Sequence, residues 1–194
     1  MEVNEKKLIS KWEKKIKFLN RADENLFKAK NSDLIFVPIF EKFLGNYITI
    51  KYHQKVLCIG CHTGKWVNSI DQQTNIKGYI LDQSIRNLQT SMHIYPHFNY
   101  EIASSNALPY KEKKFHYILI NQPFDTFLEK EELIKEFQRI MKKKGKIIFY
   151  YKINLFFNRR QQLEKMFEAV DLQIENVTHY RGIEIYEIKN KGMA

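Results

Sequence analysis

From Lys55 onwards, short apolar runs alternate with amphipathic segments, and this alternation constrains the fold more than any other feature of the sequence. The apolar runs predict strands over 56–59, 76–81, 98–102, 117–120 and 146–151. Between them, helical periodicity predicts helices over 65–69, 84–94 and 131–143, and Gly145 is expected to end the last of these. Strands that alternate with helices predict a parallel sheet covered on both faces.

The two ends of the chain extend this core. A further helix is predicted over 160–170, and two strands over 172–177 and 183–188 are joined across Arg181-Gly182. Before the first strand, apolar residues at three- and four-residue steps predict two helices within residues 1–50. No repeat or linker interrupts the chain. The sequence therefore predicts one α/β domain over 1–194, with a doubly wound, mostly parallel seven-stranded sheet and an antiparallel C-terminal hairpin.

Composition limits the cellular setting. A chain of 194 residues suits a single domain with its own core. The two cysteines, Cys58 and Cys61, lie in one short segment, so no disulfide framework links distant parts, and we expect a cytoplasmic protein. Their spacing invites a redox or metal interpretation, but a metal would need two more ligands, and a packing role is favoured. Because the apolar runs are short and residues 1–10 are charged, we expect neither a membrane-spanning segment nor a signal peptide.

The net charge of +10 suits a polyanionic partner such as nucleic acid. Basic residues concentrate in 6–17, 111–114 and 142–146. A compositional bias towards lysine, with the lysines solvating helix faces, is the alternative explanation, and the sequence leaves both open.

A glycine-bearing loop follows the first predicted strand, and a helix opens after it. Gly60 and Gly64 occupy the outer positions of this loop, where ligands bind in open α/β sheets. About 20 residues later, Asp82 ends the second strand, and a carboxylate there can hold both hydroxyls of a ribose. Alternatively, Asp82 and Ser84 form the N-cap region of the next helix.

These segments resemble the motifs of class I S-adenosylmethionine-dependent methyltransferases. "VLCIGCHTGKW" is similar to their first motif and "LDQS" to their acidic second motif, while "SSNALPYKEKKFHYILI" and "LIKEFQRIMKKKGKIIFYY" resemble two later ones. The resemblance implies a Rossmann-like core over 51–194, a helical lid over 1–50 and S-adenosylmethionine as cofactor. The residues it implies for cofactor binding are Cys58, Gly60, Cys61, His62, Gly64, Trp66, Asp82, Gln83, Asn106, Ala107 and Asn121.

Three positions depart from the family pattern. Cys58 stands where the family usually has an acidic residue, His62 where it has a middle glycine, and Asn106 where it has an aspartate. Two interpretations follow. Either the cofactor site is weaker but functional, or the fold has lost catalysis and serves as a binding or scaffold protein.

The acceptor is expected beside the loop after the fourth strand, at Asn121-Gln122-Pro123-Phe124. This tetrapeptide resembles, with one mismatch, the "N-P-P-F" motif of methyltransferases that act on amines. The resemblance makes Asn121 a candidate catalytic residue and assigns substrate binding to Gln122, Pro123 and Phe124. His62, the histidine nearest the predicted cofactor, is a candidate catalytic base if the acceptor is a hydroxyl. In the alternative, Pro123 ends the strand and Phe124 packs beneath the lid. The leading hypothesis is methyl transfer to a small or medium-sized acceptor; the alternatives are an amine on nucleic acid or protein, and a non-catalytic module.

Overall fold

A computed structural model gives the structure of the protein and describes residues 10, 49–61, 64–103, 107–124, 127, 130–152, 159–180 and 182–192. Seven strands form one sheet in the order β3-β2-β1-β4-β5-β7-β6. The strands are β1 (Lys55–Ile59), β2 (Lys77–Leu81), β3 (Asn99–Glu101), β4 (Phe115–Pro123), β5 (Met141–Lys152), β6 (Leu172–Tyr180) and β7 (Ile183–Asn190). The helices between them are α1 (Lys65–Thr74), α2 (Ile85–Ile94), α3 (Lys130–Ile140) and α4 (Arg159–Glu168).

The topology confirms the predicted doubly wound α/β sheet. Strands β1 to β5 pair in parallel, and β7 pairs antiparallel with both β5 and β6. The chain order reverses between β1 and β4, which are neighbours in the sheet although β2 and β3 separate them in sequence. Such a reversal opens a crevice at the carboxyl ends of the strands, where ligands bind in this class of fold.

Alternation along each strand divides the core into two layers. In β1, Leu57 and Ile59 face a layer that includes α3 and α4, whereas Val56 and Cys58 face a layer that includes α1 and α2. Because both faces of the central strands are covered, nearly every side chain in β1 is buried. This burial explains why the strand appears in the sequence as an uninterrupted apolar run.

The predicted end of the helix over 131–143 is wrong. Helix α3 ends at Ile140, and the residues from Met141 onwards, including Gly145, belong to β5. Met141 pairs with Phe115, and a register shift follows before Lys146 pairs with Tyr117. A Cβ atom on Gly145 would lie 2.5 Å from Met141 Cγ and 3.1 Å from the Phe115 carbonyl oxygen. Gly145 is therefore required by this close strand contact and not by the end of a helix.

The predicted N-terminal helices and lid fall almost entirely outside the described residues, so the division at residue 50 stays a prediction. None of the helices in the described ranges is long and apolar enough to cross a membrane.

Candidate functional site

Three residues predicted for cofactor binding lie in one row at the carboxyl ends of adjacent strands. In the sheet register, Ile59 of β1 pairs with Leu81 of β2 and with Ile120 of β4. Gly60, Asp82 and Asn121 each come directly after one of these paired residues. The three predicted site residues therefore lie side by side across the sheet. Sequence alone predicted each residue at a strand end, and the register brings them side by side.

The loop after β1 turns through two glycines in the left-handed region. Gly60 has φ 70° and donates its N–H to the Leu81 carbonyl at 3.0 Å, which ties the loop to β2. Gly64 has φ 74°, donates to the Cys61 carbonyl at 2.8 Å and caps the start of α1. Only glycine adopts this conformation at little cost. His62, between them, lies outside the described residues.

Asp82 is buried and its carboxylate is held by the start of α2. Its Oδ1 accepts the Ser84 N–H at 2.8 Å, and its Oδ2 accepts the Asn87 side-chain N–H at 3.3 Å. Ser84 is the N-cap residue of α2 and accepts from the Asn87 backbone N–H. Asp82 is thus oriented at the row by the N-cap region, and the two interpretations drawn from the sequence are compatible. Asn87 was not singled out from the sequence, where a polar residue in a first helical turn is unremarkable.

Asn121 carries a buried side-chain amide at the end of the row. Its side chain is fully buried, and neither Oδ1 nor Nδ2 has a partner among the residues that the structure describes. A buried polar group left unsatisfied costs about 1–3 kcal/mol, so native proteins rarely keep one without a reason. The amide can accept at one atom and donate at the other, which suits a polar ligand at the carboxyl end of β4.

The two cysteines are bonded to each other. A disulfide joins Cys58, in β1, to Cys61, in the glycine loop, and both residues are buried. Both cysteines pack in the core, as the sequence predicted, but the sequence did not predict the bond between them, which forms because the sharp turn at Gly60 brings their side chains together. Within the described ranges, no group of three or more His, Cys, Asp or Glu residues could hold a metal ion. Cys58 offers no carboxylate to the site.

The remaining residues implied for the cofactor take different places. Trp66 is fully buried in the layer that contains α1, as a core residue would be. Gln83 is half-buried beside Asp82, and Ala107 is exposed beyond β3. Asn106 lies outside the described residues.

Two side chains of α3 that were not predicted from the sequence hold the segment after Ala107. Glu136 Oε2 accepts the Leu108 N–H at 2.7 Å, and Arg139 donates to the carbonyls of Leu108 and Tyr110. Hydrogen bonding from Arg139 lowers the pKa of Glu136. The only sequence signal was an i,i+3 charge pair, which is common on solvated helices.

The predicted acceptor tetrapeptide is largely strand. Asn121, Gln122 and Pro123 belong to β4, which ends at Pro123 after a register shift against β5. Phe124 is fully buried, with its ring stacked 4.5 Å from that of Phe149. This packing favours the structural interpretation of Phe124 over stacking on an acceptor.

The protein is similar to known proteins in both sequence and structure. The methyltransferase domain family matches residues 56–145. No curated protein matches the sequence. Among solved structures, a SAM-dependent methyltransferase from Aquifex aeolicus has a TM-score of 0.64 at 13% identity, covering 76% of this chain and 88% of that one.

Two other solved structures show the breadth of the fold. A TehB-like SAM-dependent methyltransferase from Corynebacterium glutamicum has a TM-score of 0.64 at 13% identity, covering 94% of this chain and 97% of that one. The cyclase SpnF has a TM-score of 0.69 at 12% identity, covering 79% of this chain and 81% of that one. Identities this low establish a shared fold and not a shared reaction.

Proposed function

We propose that the protein transfers a methyl group from S-adenosylmethionine to a small or medium-sized acceptor, because residues 56–145 match the methyltransferase domain family and the sheet has the class I fold. The family implies this cofactor. The observation that carries the proposal is the row of Gly60, Asp82 and Asn121 at the carboxyl ends of three adjacent strands. The row combines a glycine whose backbone a ligand can approach closely, a carboxylate, and an amide that no described residue satisfies. It lies where the chain order in the sheet reverses.

The residues present fit the cofactor at three points. The Asp82 carboxylate can accept hydrogen bonds from ribose hydroxyls, and Ser84 and Asn87 hold its orientation. The left-handed turn at Gly60 lets a ligand approach the backbone without meeting a Cβ atom. The Asn121 amide would gain the hydrogen bonds that it lacks within the described protein. When bound, S-adenosylmethionine supplies a methyl group on a cationic sulfur, so the protein contributes mainly proximity and orientation.

The same amide favours a second candidate, in which the acceptor is an amine on nucleic acid or protein. Asn121 Oδ1 has no partner within the described residues and could accept a hydrogen bond from an amine N–H, directing the amine's lone pair towards the methyl group. Phe124 does not add a stacking surface to this arrangement, because its ring is packed against Phe149. We therefore rank amine methylation second.

Calorimetric titration with S-adenosylmethionine and S-adenosylhomocysteine tests the cofactor site. The wild type is expected to bind both ligands, and Asp82→Asn is expected to weaken binding at least tenfold, a loss of about 1.4 kcal/mol. Asp82→Asn keeps the size of the side chain and an oxygen that can accept the Ser84 N–H, so it removes the charge while the start of α2 stays held. Asp82→Ala removes both the charge and this hydrogen bond.

Asp71→Ala is the matched control, since it removes a carboxylate from α1 whose partner is His97, outside the row. It is expected to leave affinity unchanged, while thermal melting confirms that each variant is folded. A folded wild type that binds neither ligand would contradict the proposal and support a non-catalytic module. If binding is observed, an acceptor screen that includes amines distinguishes the two candidate reactions.

A further inference from the structure

A basic surface lies at the opposite edge of the sheet from the candidate site. Strands β1, β2, β4 and β5 are parallel, so their amino ends meet at one edge. We call this the amino-end surface and define it by Tyr52, Lys55, Lys77, His116, Lys142 and Lys143. It is separate from the row that the proposed function uses.

Tertiary hydrogen bonds hold the segments of the amino-end surface together. Lys77 donates its backbone N–H to the Gln54 carbonyl at 2.9 Å, which ties the start of β2 to the segment before β1. Asn190 donates its side-chain N–H to the Lys143 carbonyl at 2.8 Å, which fixes the start of β5. The lysines are therefore brought together by the fold, although they are far apart in sequence.

The lysines of this surface are not neutralised within the described protein. No described carboxylate lies within ion-pairing distance of Lys55, Lys77, Lys142 or Lys143. Lys146 lies in β5 with Lys142 and Lys143 but differs from them, because it forms ion pairs with both Glu175 and Glu187. Other basic residues of the described ranges, such as Arg86, Lys135 and Lys165, also have no described ion pair, so the amino-end surface is distinguished by bringing four unpaired lysines to one edge of the sheet.

Two hydrogen-bond donors face each other at the centre of this surface. The Lys55 backbone N–H donates to His116 Nδ1 at 3.0 Å, so in the neutral ring the hydrogen is on Nε2. Nε2 in turn lies 3.2 Å from Lys142 Nζ. Burial and the charges of Lys142 and Lys55 lower the pKa of His116, which disfavours the charged form of the ring. An anion beside this pair would accept from both nitrogens, as a phosphate oxygen does.

An exposed aromatic ring adjoins the lysines. Tyr52 is 64% exposed, and Asn75 donates its side-chain N–H to the Tyr52 hydroxyl at 3.0 Å. The His53 backbone N–H donates to the Asn75 carbonyl at 3.1 Å, so the segment carrying the ring is anchored to the turn before β2. A positioned, exposed aromatic ring beside basic side chains is the arrangement on which proteins stack the bases of single-stranded nucleic acid.

We propose that the amino-end surface docks single-stranded nucleic acid, with the lysines and His116 contacting phosphates and Tyr52 stacking on a base. Unpaired bases are required, because the bases of a duplex do not present a free face to Tyr52. Docking at this edge is independent of methyl transfer at the opposite one.

Fluorescence anisotropy with a labelled single-stranded RNA of about twelve nucleotides tests the proposal, with a duplex of the same length for comparison. We expect tighter binding of the single strand. The combined variant Lys77→Gln, Lys142→Gln and Lys143→Gln should raise Kd at least tenfold and lower the salt slope by about 2, since each phosphate contact contributes about 0.7 for single strands.

The matched control carries the same charge change on exposed helix positions. Arg86→Gln, Lys135→Gln and Lys165→Gln together are expected to change Kd less than the surface variant does. An equal loss of binding in both triple variants would overturn the proposal, because net charge alone would then explain the affinity.

Substitutions at Tyr52 test the stacking contact. Tyr52→Ala should raise Kd at least fivefold, and Tyr52→Phe should retain most of the affinity because it keeps the ring. An unchanged Kd in Tyr52→Ala, with inorganic polyphosphate competing as well as RNA, would show a simple polyanion site and overturn the proposal. Asp82→Asn should bind RNA normally, so failure of the cofactor site and failure of this surface are distinguishable.

Discussion

At the scale of single residues, the unsatisfied amide of Asn121 predicts a conflict between stability and ligand binding. Asn121→Leu removes a buried polar group with no described partner at little change in size, so the free energy of unfolding of the ligand-free protein should rise by about 1 kcal/mol. The affinity for S-adenosylmethionine should fall at least tenfold, about 1.4 kcal/mol. Urea unfolding with and without the cofactor measures both. The control is Asn99→Leu, which loses a hydrogen bond to the Gly78 carbonyl and should destabilise the protein. Destabilisation by Asn121→Leu of the ligand-free protein would show that the amide is already satisfied.

At the scale of secondary-structure elements, the start of α1 depends on Gly64. A Cβ atom there would meet Ser91 Oγ and lie 3.1 Å from Ile80 Cδ1, and φ is 74°. Gly64→Ala should therefore cost about 3 kcal/mol of unfolding free energy, from backbone strain and overpacking together. Gly182→Ala, in the β6–β7 turn, has φ 81° but no described atom within 4 Å of a new Cβ, and should cost about 1 kcal/mol. If urea unfolding showed the same loss of unfolding free energy for both variants, the side chains around Gly64 would have to move to make room for the new Cβ atom.

At the scale of the whole molecule, acidification should reduce stability in two steps. The pKa of His116 is lowered from its ordinary 6.5, so its contribution to folding is present above that pH and is lost as the pH falls through the folded-state pKa. The pKa values of Glu136 and Glu175 are lowered from 4.5 by hydrogen bonds from Arg139 and Lys146, so their contributions are lost below about pH 4.5. Urea midpoints measured across this range should show both steps, and His116→Gln should remove the upper one. A wild-type profile that stays flat between about pH 8 and 5 would contradict the first assignment.

Most of the sheet could be predicted because each buried strand is a short apolar run and each helix shows its own period. The hairpin of β6 and β7 followed from the same signals. The end of α3 could not be predicted in this way, because the lysine-rich segment before Gly145 continues a helical pattern. Pairing of Met141 with Phe115 decides that boundary, and a contact with a residue so distant in sequence leaves no local signal.

The features of the candidate site also separate into those that could be predicted from the sequence and those that could not. Gly60 and Asp82 could be singled out because a strand end followed by glycine or a carboxylate is a local pattern. The disulfide between Cys58 and Cys61, the packing of Phe124 on Phe149 and the helix contacts that hold Leu108 could not. Each depends on where a turn or a neighbouring element places a side chain.

The sequence by itself determined the alternation of strands and helices, the carboxyl ends of β1 and β2 and the overall positive charge. These are local or additive properties, since periodicity and composition do not depend on distant contacts. Only the tertiary structure decided that Gly60, Asp82 and Asn121 form one row, that the Asn121 amide has no described partner, and that the lysines of the amino-end surface lie together. The physical reason is strand register, which joins residues far apart in the chain and sets which polar groups are satisfied.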